Sequence, residues 1–266
     1  MRDMTGAMRW AGAWQPAAPP PEPAEAPVAI VIDGMSQAVL MATPADLHDL
    51  ALGFALTEGV IAAPDDVLGF DQAQVEVRGF AAHEARLWLR PGLSAALTER
   101  RRSMIGPVGC GLCGVDSIAA ALPRVVAVGS DWRMPAADVA RAMAALGAGQ
   151  VLRQATPAMH GAGFWDGAAV LVREDVGRHN ALDKLAGALA RQGMDASAGA
   201  VVMSSRLSVD LVQKAARLGV PILIGASAPT ALALDWAERA GITLIGRARG
   251  AEFDLYTHPW RIIETP

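Results

Sequence analysis

The chain has 266 residues, enough for one large domain or two small ones around a buried core. Its 52% hydrophobic and 19% charged content describes a well-packed globular protein. A net charge of −4 argues against a nucleic-acid binder held by bulk electrostatics, and two cysteines are too few for a secreted disulfide scaffold. No run reaches about 18 uninterrupted apolar residues, so no membrane span is expected. The first residues lack a continuous apolar stretch after their arginines, so no signal peptide is expected.

Residues 1–26 are rich in alanine and proline and read as a disordered lead-in. Residues 27–104 read as a small α/β region. Apolar runs at 28–32 and 38–41 flank Asp33-Gly34, which predicts a hairpin, because Asp-Gly suits the left-handed turn that joins two twisted strands. Thr43-Pro44-Ala45-Asp46 predicts a helix start, with Thr43 as N-cap, Pro44 at the first helical position and Asp46 as a first-turn acid. That helix runs through Leu50 and Phe54 to about Thr57, and Gly59 stops it. Residues 74–77 and 86–89 predict another strand pair. Arg100-Arg101-Arg102 reads either as a solvated face or as help for an anionic ligand.

Residues 105–266 read as a larger α/β domain, and they open with both cysteines in Gly109-Cys110-Gly111-Leu112-Cys113-Gly114. Thiols three positions apart can hold a metal, cycle through a disulfide or carry sulfur. The glycines leave the backbone open, which favours reachable thiols. A structural disulfide would close only a tiny loop and add little stability. A zinc site would need two more ligands, and His160 is a candidate third. Zinc deaminases, however, need a His-x-Glu signature and Pro-Cys-x-x-Cys. Neither occurs, since Pro107 is separated from Cys110 by two residues. The CxxC spacing suits a reducing cytosol, so a cytoplasmic location is expected.

From residue 168 the pattern becomes regular. Strands are predicted at 168–172, 200–203, 221–224, 242–245 and 253–256, and helices at 178–191, 208–218 and 231–240. Short apolar strands alternating with helices predict a mainly parallel sheet covered on both faces. Open α/β sheets bind ligands beyond the carboxyl ends of their strands. Four such ends carry polar or glycine-rich segments: 173–180 with Arg178, His179 and Asn180; Ser204-Ser205-Arg206; 225–230 with Ser227 and Thr230; and Gly246-Arg247-Ala248-Arg249-Gly250. Hydroxyls, arginines and helix N-termini together suit phosphate groups. His179 and Asp183 share one helix face, and Asn180 and Lys184 the neighbouring one. His179 reads equally as a general base or as a hydrogen-bonded structural residue.

These segments together resemble the formate dehydrogenase accessory sulfurtransferase family, FdhD. The resemblance rests on Leu50-Ala51-Leu52-Gly53-Phe54 with Thr57-Glu58-Gly59, on Cys110-Gly111-Leu112-Cys113-Gly114, and on the run from Glu174 to Lys184. Val212-Gln213-Lys214-Ala215-Ala216 with Gly219-Val220-Pro221-Ile222-Leu223, Ser227-Ala228-Pro229-Thr230-Ala231 and Tyr256-Thr257-His258-Pro259 complete it. It covers about residues 27–262.

The resemblance implies a cytidine-deaminase-like α/β core without the deaminase zinc, a mixed sheet with helices on both faces, and a homodimer. It implies a sulfur carrier that accepts sulfur from a cysteine desulfurase as a persulfide on Cys110. That sulfur would pass to the molybdenum cofactor carrying two molybdopterin guanine dinucleotides, bound as client before its insertion into the formate dehydrogenase catalytic subunit. Cofactor binding is implied for Arg247, Ala248, Arg249, Gly250, Ala251 and Glu252. The second thiol, Cys113, can attack the persulfide and release sulfide. This chain departs from the family pattern in Ile105-Gly106-Pro107-Val108-Gly109 and in Met159-His160-Gly161-Ala162. Two rival readings remain: a cofactor-binding chaperone without sulfur transfer, and a zinc-dependent deaminase.

Overall fold

The computed structural model describes residues 7–17, 21–93 and 122–264. Cys110, Cys113 and the arginine triplet lie outside the described residues.

Within the predicted lead-in, β1 (Met8–Trp10) and β2 (Trp14–Pro16) pair antiparallel. This corrects the expectation of disorder for residues 8–16. The physical reason is local: Gly12 takes φ 79° in the turn, and the rings of Trp10 and Trp14 meet edge to face at 5.3 Å. Every residue of both strands is exposed.

The first sheet has four strands in the order β4-β3-β6-β5: β3 (Ala26–Ile32), β4 (Met35–Ala42), β5 (Val67–Val77) and β6 (Phe80–Leu89). Asp33 (φ 47°) and Gly34 (φ 77°) form the expected left-handed turn between β3 and β4. Helix α1 (Leu47–Thr57) lies on one face, where Leu50 and Phe54 pack with Val28, Ile30, Ile32 and Leu87.

Helix α1 does not start at Thr43. It starts at Leu47, preceded by Asp46 at φ 53°, and Thr43 turns elsewhere. The Thr43 N–H donates to Asp175 Oδ2 at 3.0 Å, and its hydroxyl oxygen accepts from the Val176 N–H at 3.2 Å. A partner 132 residues away outweighs the local capping preference.

The second sheet has six strands in the order β13-β12-β11-β10-β8-β9. In chain order, β7 (Met134–Pro135), α2 (Ala136–Gly149) and α3 (Val151–Ala155) lead to β8 (His160–Trp165) and β9 (Val170–Asp175). Then follow α4 (Arg178–Arg191), β10 (Ala200–Met203), α5 (Val209–Arg217), β11 (Ile222–Gly225) and α6 (Ala231–Ala240). The order closes with β12 (Thr243–Arg249), β13 (Glu252–Leu255) and β14 (Ile262–Ile263), which pairs with β7.

Strands β10, β11 and β12 run parallel, β8 runs against β10, and β9 runs against β8. The sheet is therefore mixed, and both faces are covered. Leu182, Leu185, Leu211, Val212 and Trp236 from α4, α5 and α6 pack on one face. Val139, Ala142 and Leu146 from α2 pack on the other. No helix among the described residues is long and apolar enough to cross a membrane.

Helix α1 joins the two sheets by crossing α4 at backbone contact. A Cβ on Gly53 would stand 1.7 Å from the Asp183 carbonyl oxygen, and one on Gly187 would stand 2.0 Å from that of Asp49. Around the crossing, the Asp49 carboxylate accepts from Arg173 Nε and Arg191 Nη1, each at 2.7 Å.

Candidate functional site

The strand directions bring the four predicted loops onto one edge. β9, β10, β11 and β12 all point the same way, and the amino end of β8 lies among their carboxyl ends. Backbone hydrogen bonds stitch the loops into a row. The Ser204 N–H donates to the Gly161 carbonyl at 3.0 Å, and the Ser204 hydroxyl oxygen accepts from the Gly161 N–H at 2.8 Å. The Ala226 N–H donates to Met203, the Thr230 N–H to Leu207 and the Arg247 N–H to Ser227. His160 stands opposite Asp175 in the β8–β9 ladder.

The candidate residues divide by what their side chains already do. Ser205 is buried and donates to the Arg206 carbonyl at 3.0 Å, while Arg206 is exposed. Thr230 caps α6, its Oγ1 accepting from the Ala233 N–H at 3.3 Å. Ala248 is buried in the core, so only its backbone can face a ligand. The segment from Arg247 to Glu252 is not a plain loop: β12 extends through it to Arg249 with a bulge after Gly246. Gly250 turns the chain at φ 57°, and Ala251, Arg249 and Glu252 are exposed. Arg247 holds φ 52°, and its Nε lies 3.1 Å from Asp254 Oδ2. That pair is half exposed, so the guanidinium can exchange Asp254 for another anion at little cost.

Beneath the edge lie buried charges. Lys184 is fully buried; its Nζ lies 2.7 Å from Asp175 Oδ2 and donates to the Thr43 carbonyl at 2.9 Å. Asp175 Oδ1 also accepts from the Gly177 N–H and from Asn180 Nδ2. Glu174 accepts from the Leu152 and Arg153 N–H groups, closing the amino end of α3. On the next face of α4, His179 Nε2 contacts Asp210 Oδ2, and Asp183 contacts Lys214. Lys214 Nζ donates to Asp183 Oδ1 at 2.9 Å, to Glu58 Oε1 at 2.7 Å and to Thr57 Oγ1 at 3.0 Å. Burial alone would lower the Lys214 ammonium, but Asp183 and Glu58 together hold it above its ordinary value. Asp210, Lys214, Glu58 and Thr57 carry no local sequence signal for this role, since contacts between elements create it.

Arginines stand near both histidines of the edge. His160 is lowered from its ordinary value by burial, then by the nearby Arg178 and Arg153. His179 is lowered to about 4, first by burial, with Arg178 and Lys214 acting the same way against the pull of Asp210. This fixes the sign of a pH effect. Below about pH 6.5 the unfolded chain takes up a proton that folded His179 refuses until about pH 4, so stability falls as pH drops through that window and is fully present above it. The expected loss is at most about 3 kcal/mol. Urea denaturation from pH 7 to pH 4 measures it, and His179→Gln should flatten the slope. An equal slope in the variant would assign the effect to other groups.

Among the described residues no group of three or more His, Cys, Asp or Glu side chains could hold a metal. Any ligand set that uses Cys110 and Cys113 falls outside them.

The family model described as FdhD/NarQ matches residues 23–263. The chain is 48% identical over 246 residues to a protein of Agrobacterium fabrum named sulfur carrier protein FdhD, covering 91% of this chain and 89% of that one. A protein of Bordetella bronchiseptica with the same name is 45% identical over 240 residues, covering 90% and 86%. A crystal structure described provisionally as a formate dehydrogenase accessory protein, from Desulfotalea psychrophila, is similar with a TM-score of 0.70 at 25% identity. It covers 90% of this chain and 89% of that chain.

Proposed function

We propose, because this chain belongs to the FdhD/NarQ family, that it carries sulfur for the maturation of formate dehydrogenase. What carries the reading is the extent of that match: residues 23–263 include both the α/β edge and Cys110-Gly111-Leu112-Cys113. In the finer form of the proposal, the Cys110 thiolate attacks the outer sulfur of a cysteine desulfurase persulfide. An S–S bond forms at Cys110 and the desulfurase thiolate leaves. Cys113 then attacks Cys110 Sγ and expels the outer sulfur as sulfide, which passes to the molybdenum. The two thiols become a disulfide, and a cytosolic dithiol resets them.

The proposed client is the molybdenum cofactor with two molybdopterin guanine dinucleotides. Its phosphates suit the row of Ser204, Arg206, Ser227 and Arg247 with the helix N-termini beside it, since backbone N–H groups and arginines favour anions. The deaminase-like relation of the core, a cytoplasmic homodimer and docking to the formate dehydrogenase catalytic subunit belong to the same proposal.

Intact-mass spectrometry tests it. Incubation with a desulfurase and cysteine should add about 32 Da, one sulfur atom, to the wild type and nothing to Cys110→Ala. Cys110→Ala should also fail to restore formate dehydrogenase activity in cells lacking this protein. Full restoration by that variant would leave a cofactor carrier that transfers no sulfur.

A further inference from the structure

The hairpin of β1 and β2 is amphipathic. Trp10 stands opposite Trp14 and Met8 opposite Pro16, so strand alternation puts these four on one face and Arg9 with Gln15 on the other. The apolar face is uncovered: Trp10 is 62% exposed and Trp14 66%. A lone two-stranded hairpin is at best marginally stable in water, so this face needs a surface to pack on. The first sheet carries an uncovered apolar patch of the same kind. Its inner face sets Val28, Ile30 and Leu87 against α1, and alternation turns Met41, Val39, Phe80 and Val77 outward. Met41 stands opposite Pro27, and Val77 opposite Phe80. Val39 is 50% exposed and Phe80 66%. Glu84 and Arg86, which pair with each other at 2.6 Å, bound the patch on β6.

We propose that the hairpin is a clasp: its tryptophan face covers the outer patch of the first sheet on a second copy of this chain, and the exchange is reciprocal. The patch lies where the arm is tethered. Residues 17–25 join β2 to β3 and span at most about 30 Å, and Pro27, opposite Met41, belongs to the patch. The linker disfavours a return to its own sheet. Residues 21–25 form no turn, and Pro21 and Pro23 favour extended chain at themselves and at the residues before them. Folding back within one chain would need the reversal that these prolines resist. Two arms crossing between two copies need none, and they cover both patches at once in a closed two-fold pair. The family match begins at residue 23, so the clasp lies ahead of the segment it spans.

Sedimentation equilibrium of the full chain tests the clasp. The wild type should dimerise. Trp10→Ser with Trp14→Ser removes the face of the arm, and Val39→Glu with Phe80→Glu spoils the patch. Each pair should weaken the dimer by about tenfold or more, the scale of burying one large apolar side chain. All four positions are exposed in the single chain, so both variants should keep their fold, which circular dichroism checks. Mixing the two variants separates exchange from folding back. In a mixed pair the intact arm of one chain meets the intact patch of the other, so the mixture should associate more tightly than either variant alone. A wild type that stays monomeric overturns the clasp, as does a dimer that either pair of substitutions leaves unchanged. A dimer weakened by both pairs but not recovered in the mixture overturns the exchange, because the arm then acts on its own sheet. Persulfide loading at Cys110 is read separately, so the sulfur-carrier reading stands or falls apart from this one.

Discussion

Gly53→Ala should destabilise the protein by roughly 3 kcal/mol or more, although helix propensity alone favours alanine by about 1 kcal/mol. The sign is decided at the α1–α4 crossing. The added methyl would stand 1.7 Å from the Asp183 carbonyl oxygen, and that neighbour is helix backbone, with no flexible tip to swing away. The helices must separate, which loosens the packing on both sides of α1. Gly147 on α2 is a matched control: it is exposed, and open space surrounds the position of its Cβ. Alanine there should be neutral to stabilising by up to about 1 kcal/mol. Urea denaturation of the two variants compares them directly. A Gly53→Ala protein as stable as the wild type would mean that the helices are not held at backbone contact.

Lys214→Met should cost about 3–5 kcal/mol, the usual penalty for removing one partner of a buried ion pair. Asp183 is nearly inaccessible, and among the described residues its carboxylate would keep only the Thr57 hydroxyl, which donates to Oδ1 at 2.6 Å. Glu58 loses the same cation. Burial pushes the Asp183 carboxyl up, and without Lys214 that push is less opposed, so the residue should protonate more readily. The double variant Lys214→Met, Asp183→Asn should therefore be more stable than the sum of the two single losses by at least about 1 kcal/mol. Strict additivity would show that the two side chains act independently.

Much of the second half of the fold is legible in the sequence because its signals are local. The helices 178–191 and 231–240 and the strand 200–203 match their predicted bounds, and Gly241 closes α6 at φ 72°. The face assignment on α4 also holds. His179 and Asp183 both look to α5, where Asp210 and Lys214 repeat the same four-residue spacing, while Asn180 and Lys184 both turn to Asp175.

What the sequence hides is non-local. Thr43 carries every mark of an N-cap, but Asp175 takes its N–H. β5 and β6 extend beyond the predicted 74–77 and 86–89, because cross-strand pairing from Val67 with Leu89 to Val77 with Phe80, rather than burial, defines the ladder there. Gln150 has no motif around it. Its burial against Gly161 is a contact between elements, which cannot be read along the chain.

The position of α1 constrains how this protein can diverge. Leu50 and Phe54 belong to the core of the first sheet, while Asp49, Gly53 and Thr57 on the same short helix meet α4, β9 and α5 of the second. A boundary drawn at residues 104 and 105 separates the two regions on paper, but each would lose an essential wall if inherited without the other. Recombination that exchanged one half for a distant cousin's would have to carry matching changes at Gly187, Arg173, Asp183 and Lys214. The two regions thus depend on each other's walls, whereas the strands of the tryptophan hairpin ahead of them bury no side chain.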